Sequence, residues 1–285
     1  MIKQTRTRSI RNILLFALAV ALAGWIGFGI KSLTGSTSPL QNLGMLVFLV
    51  LPPLAGLLLR AFGGDGWSDI GWRPGLRGNL AGYAIALFIF PVIIGLLLLA
   101  GVLAGSTTLA GFATQGFGAF LAAVGMVFLS DFFKNIFEEF SWRGYLTPRL
   151  QALGLPDLAN HLLTGLVWAS WHVPYWLFLL DRSTLKNFTS QSFAVFLPLS
   201  ILNIVTSAIL YGEVRLLTNS TWATVLLHTS ANAVSLALLL NGFVKIDPAA
   251  EIWFTPGGFG IIGITLVTLS GLGLYLYRMK KQGKK

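Results

Sequence analysis

The feature that most constrains this chain is a series of eight apolar stretches, each long enough to cross a bilayer, which takes roughly 17–25 helical residues. They run approximately Asn12–Ile30, Leu40–Leu59, Leu80–Leu103, Phe120–Phe140, His161–Leu180, Phe193–Tyr211, Trp222–Leu240 and Phe259–Tyr277. Lipid offers a backbone no hydrogen-bond partner, so a span of this length has to be a helix. The expected fold is therefore all-α: a polytopic membrane helix bundle of about eight transmembrane helices. Composition agrees. Only 11% of residues are charged and mean hydropathy is +0.75, too few charges to clothe a soluble globule, where about 25% is usual. The longest polar stretch, the Gly-rich AFGGDGWSDIGWRPGLRGN, is too short to fold alone, so residues 1–285 read as a single integral-membrane domain. Pro52-Pro53 should kink the second span, because proline removes a donor and clashes one turn back.

The basic residues carry orientation. Lys3, Arg6, Arg8 and Arg11 precede the first span in the manner of a signal peptide. The apolar run is long, however, and no small-x-small cleavage site follows at the right place, so a retained span is expected. With the N-terminus inside, 15 of the 20 Lys and Arg fall in cytoplasmic segments. Lys31, Arg182, Lys186 and Lys245 fall outside, and Lys134 lies within a span. Lys and Arg accumulate on the cytoplasmic side, so eight spans with both termini cytoplasmic fit. The net charge of +10 is thus an orientation signal, and the bases form no stripe for nucleic acid. The absence of Cys removes disulfides, thiolate metal sites and Cys nucleophiles.

Ionisable groups are costly inside a span, and each marks a function or a buried pair. The fourth span holds Asp131, Lys134, Glu138 and Glu139, the fifth His172, the seventh His228 with Asn232 one turn on. His161, at the start of the fifth, reads as a polar interfacial residue. Glu139 and Arg143, four apart, share a face and can pair; Glu138 is turned about 100° away. Asp131, Lys134 and Glu138 can likewise neutralise one another. With the fourth span carried on to Pro148, where a helix normally stops, Glu138 lies about 15 Å from its inner end; His172 and His228 are each put roughly 18 Å from theirs. Two His and a carboxylate at one depth suggest chemistry. Glu138 with His172 can hold and deprotonate a water, while His228 and Asn232 can stabilise an oxyanion. Alternatively Glu138, His172 and His228 are a ligand set for catalytic Zn2+. The HExxH, paired-Asp and GxSxG designs are missing.

Three strings, Glu138-Glu139-x-x-x-Arg143, Trp168-x-x-x-His172 and His228-x-x-x-Asn232, resemble the motifs of the CPBP family, the CAAX prenyl proteases and their Abi-type or bacteriocin-immunity relatives. EEFSWRGYLTPRL and WASWHVPYW resemble its prokaryotic branch. The resemblance covers a motif-bearing core at about 120–240. Trp168 stands where the second motif more usually has Phe; both are aromatic, and no loss of chemistry is expected. Asp131 and Lys134 belong to no motif. The resemblance implies an intramembrane endopeptidase in which Glu138 and His172 activate water. His228 and Asn232 form the oxyanion site, and Glu139 with Arg143 supports the helix. The metal-free reading accounts better for Asn232, a poor zinc ligand. The implied partners are the lipid bilayer and a membrane-associated peptide or protein, and the implied location is a prokaryotic cell membrane. A site opening to the cytoplasmic half would favour substrates from that side. Two other readings remain: a non-catalytic immunity or scaffold protein binding a peptide in the same polar cavity, and a proton-coupled transporter, which the lack of internal repeats disfavours.

Overall fold

The structure, a computed structural model, describes residues 2–35 and 43–283. The expected start of the second span (40–42) and the basic residues Lys284 and Lys285 lie outside the described residues. Eight long helices follow in order: α1 (Ile2–Thr34), α2 (Leu43–Ala61), α3 (Leu80–Leu103), α4 (Phe117–Ser141), α5 (Asp157–Pro174), α6 (Phe193–Thr218), α7 (Thr221–Leu240) and α8 (Ile261–Lys281). Among the described residues, seven are long and apolar enough to cross a membrane. The exception is α5, whose sequence carries Asp157, Asn160, His161 and His172. It still runs the length of the bundle. Asn160 donates to the Thr147 carbonyl at one end (3.2 Å), and Trp176, just past the other end, meets the Phe196 ring. The chain is an all-α polytopic bundle; its β content among the described residues is one antiparallel pair, Thr107–Thr108 with Lys245–Ile246.

The helices define two ends. The proximal end holds the 62–79 and 142–156 connections, the turn at 219–220 and the end of α8; the distal end holds the 104–116, 175–192 and 241–260 connections. The interior is strongly aromatic, with Phe16, Trp142, Tyr145, Trp168 and Trp171 buried together and Phe48 stacked on Trp171 at 3.9 Å.

Prolines inside these helices free carbonyls, and the bundle answers them with side chains, as an apolar environment requires. Pro52 cannot donate to the carbonyl four residues back, that of Phe48, and the Trp171 indole N–H does so instead (2.9 Å). The helix stays continuous through both prolines. The fourth span was expected to stop at Pro148. It does not: a π-helical turn over Trp142–Leu146 carries the chain into a short helix, Thr147–Gln151. The Gly144 carbonyl, which Pro148 cannot serve, accepts from the Arg60 guanidinium. In the π turn the Thr147 N–H goes to Trp142 O, and the Arg143 carbonyl accepts from Arg215 Nε (3.3 Å). Arg60, Arg143, Arg149, Arg215 and Arg278, all counted as cytoplasmic bases from the sequence, are buried. The exposed bases of the proximal end still outnumber the four distal ones.

Candidate active site

The EEFSWRGYL string lies where α4 passes into its π turn, and both glutamates are buried. A 100° step separates neighbours on a helix, so the two carboxylates serve different surroundings. Glu139 faces inward. Its carboxylate accepts from Arg143 Nη1 (3.1 and 3.2 Å) and from His228 Nδ1 of α7 (2.9 Å). The Arg143 Nε and Nη2 have no hydrogen-bond partner, but the guanidinium sits 4.5 Å from the ring centroids of both Trp168 and Tyr211. Ring faces are good partners for a desolvated guanidinium.

Glu138 borders a cavity of about 290 Å³ whose lining also includes His172, His228, Asn232, Lys134, Trp168 and Tyr211. Its carboxylate accepts from the Trp168 indole N–H (3.2 Å) and pairs with Lys134 at 3.7 Å. Lys134 also pairs with Asp131 at 3.4 Å, and Asp131 Oδ2 accepts from Asn232 Nδ2 (2.6 Å). The expected Asp131–Lys134–Glu138 and Glu139–Arg143 pairings are both present. The amide of Asn232 is oriented by Asp131, with its second N–H left for the cavity.

The histidines are oriented by acceptors. His172 Nδ1 lies 3.2 Å from the Trp168 carbonyl and His228 Nδ1 lies against Glu139. A carbonyl and a carboxylate accept only, so each ring carries a proton on Nδ1 and keeps Nε2 for the cavity. Among the described residues no three His, Asp or Glu side chains are grouped closely enough to hold a metal ion. Glu138, His172 and His228 line the same cavity.

The route by which these residues meet differs from the equal depth expected. α7 starts at the proximal end, so His228 is seven residues, about 10 Å, from that end. His172 is 15 residues, about 23 Å, from the start of α5. The expected 18 Å for His228 is a count from the outer end of its span: Trp222 opens that span on the inner side, six residues before His228, and packing rather than matched depth brings the rings to α4. Sequence reasoning also missed a second buried cluster. His161 is buried, not interfacial, and bonds Glu213 at 3.0 Å. Arg278 of α8 holds Glu213 (2.6 and 2.9 Å) and Asp157 (2.7 Å). The available signal was weak: Glu213 falls just beyond the expected end of its span, and Arg278 reads as one of a basic tail.

The fold and this site define a polytopic membrane protein with a buried Glu/His/Asn constellation on three helices. The family model described as type II CAAX prenyl endopeptidase, Rce1-like, matches residues 120–234, the stretch from the start of the fourth span into the seventh. The match agrees with the resemblance carried by the three motifs and supports a protease or hydrolase. No curated protein matches the chain.

Proposed function

We propose that this chain is an intramembrane endopeptidase that hydrolyses a peptide bond of a membrane-associated protein or peptide with a glutamate-activated water. The observation that carries this reading is that Glu138, His172, His228 and Asn232, from three motifs on three helices, line one cavity.

The water would sit between Glu138 and His172. Glu138 takes one proton, and the unprotonated His172 Nε2 accepts the other O–H and orients it. The hydroxide attacks the amide carbon, and charge develops on its oxygen. Asn232 offers the N–H not used by Asp131. His228, whose Nδ1 is directed at Glu139, would donate from Nε2 once that nitrogen carries a proton. The proton held by Glu138 then passes to the amide nitrogen as the C–N bond breaks, leaving a carboxylic acid and a free amine. Lys134 and Trp168 hold the Glu138 carboxylate in place. The bundle is read with both termini cytoplasmic, in the cell membrane of a prokaryote.

Glu138→Ala tests the reading. Purified protein reconstituted into liposomes should remain folded by thermal denaturation and lose all cleavage of peptide substrates. Retained cleavage would sink the protease reading, and retained protection against a bacteriocin-like peptide would favour the non-catalytic immunity role. Activity before and after treatment with a zinc chelator, with metal analysis of the protein, separates the glutamate-dependent scheme from the zinc-dependent one.

A further inference from the structure

Nothing from the proximal connections lines the cavity. Beyond the long helices its walls come from Tyr175, Trp176, Leu180, Leu185 and Phe188 of the α5–α6 connection and from residues 257–259 of the α7–α8 connection, all at the distal end. Along α6 the lining runs from Tyr211 to Phe196, 15 residues or about 23 Å toward that end. Toward the proximal end the floor is closed. The Glu139–Arg143 pair, Trp168 and Tyr211 are buried. Behind them Thr147 bonds Thr164 (3.3 Å), Asn160 bonds Thr147, and His161, Glu213 and Arg278 form the cluster described above.

The distal lane is also polar in a span that otherwise favours apolar side chains. Ser200 Oγ is buried with no partner, Ser207 bonds Asn203 Oδ1 (3.1 Å), and Ser235 and Asn203 border the lane with them. At its mouth Gly257 is exposed. Gly258, at φ +86°, accepts no side chain there, since a Cβ would meet the Asn203 amide. An extended peptide within the membrane must have its backbone N–H and C=O groups satisfied, and free hydroxyl and amide groups along the path supply that.

The exposed bases Arg6, Arg11, Arg73, Arg77, Lys280 and Lys281 all belong to the proximal end, which the charge rule assigns to the cytoplasm. Taking the endopeptidase reading as given, we propose that the substrate is a polypeptide segment presented at the non-cytoplasmic face of the membrane. It reaches Glu138 through the distal lane along α6 and α7. Its chemical class is an extended, uncharged or apolar segment that has already crossed or inserted into the membrane.

The chain has no Cys, so single thiols report access without background. Asn203→Cys stands in the lane beside Gly258, Ser207→Cys one turn deeper, and Arg77→Cys in the proximal 62–79 connection serves as the reference. Intact cells expressing each variant would be treated with a small, membrane-impermeant cationic methanethiosulfonate, then opened and counter-labelled with a maleimide. Asn203→Cys and Ser207→Cys should lose their maleimide labelling after treatment of intact cells, while Arg77→Cys keeps it. Protection of both lane thiols in intact cells, with reaction only after the cytoplasmic face is exposed, overturns the proposal. So does failure to react from either face, because a path that admits a peptide admits the smaller reagent. Labelling does not depend on catalysis: outside access together with cleavage that survives Glu138→Ala would retain the lane and remove the protease reading.

Discussion

Glu139 is the residue on which the most depends. One carboxylate answers Arg143 and His228, so it fixes the π-turn entry of α4 and sets which nitrogen of His228 is left for the cavity. Arg143→Ala leaves that carboxylate buried with one partner fewer and removes the cation between Trp168 and Tyr211. A loss of about 3–5 kcal/mol is expected, read as a lowered thermal midpoint in detergent together with lost activity. Normal stability with lost activity would instead give Arg143 a direct part in the reaction. Trp168 is subtler. Judged as an aromatic it is interchangeable with Phe, but its indole N–H donates to Glu138, which a Phe ring cannot do. Trp168→Phe removes one hydrogen bond to a charged group, worth about 1.5–3 kcal/mol. Cleavage should therefore slow by roughly ten-fold or more, with the change in kcat rather than KM. An unchanged kcat would show that Lys134 alone holds the glutamate.

At the scale of the element, the prolines matter more than hydrophobic periodicity. Pro52 and Pro148 each leave a carbonyl that no helix of their own can satisfy, and Trp171 and Arg60 reach in from the sequence-distant α5 and α2. Arg60→Met keeps most of the side-chain volume but leaves the Gly144 carbonyl unpaired and Asp69 without its Arg60 partner. A cost of about 1–3 kcal/mol is expected for the carbonyl alone. Faster hydrogen exchange localised to Trp142–Gln151 would report it, and unaltered exchange there would remove Arg60 from the account. Both prolines were legible in the sequence as breaks. That α4 passes through Pro148 was not, because the compensating donor comes from a residue 84 positions away.

At the scale of the whole molecule, α8 is tied to α5 and α6 by the Asp157–Arg278–Glu213–His161 cluster, and close packing sets its tolerance. A Cβ at Gly212 would lie 2.0 Å from His161 Nδ1, so Gly212→Ala forces the imidazole off Glu213. Overpacking of this kind costs about 1–3 kcal/mol, and a lowered thermal midpoint with the cleavage site chemically intact is the expected result; an unshifted midpoint would mean the ring relocates freely. The spans, the all-α class and the motif residues were readable from the chain alone, since the need to satisfy every backbone group in lipid makes a long apolar run a helix, and the few ionisable groups stand out against it. The i, i+4 pairs of α4 were readable for the same local reason: helical geometry dictates them. What only the tertiary structure decided was contact between helices: His228 on Glu139, Trp168 on Glu138 and Asn232 on Asp131. It also decided which end of the cavity is walled and which is lined by connections. Such contacts depend on how side chains of different helices pack across the bundle, and the spacing of residues along one helix carries no record of that.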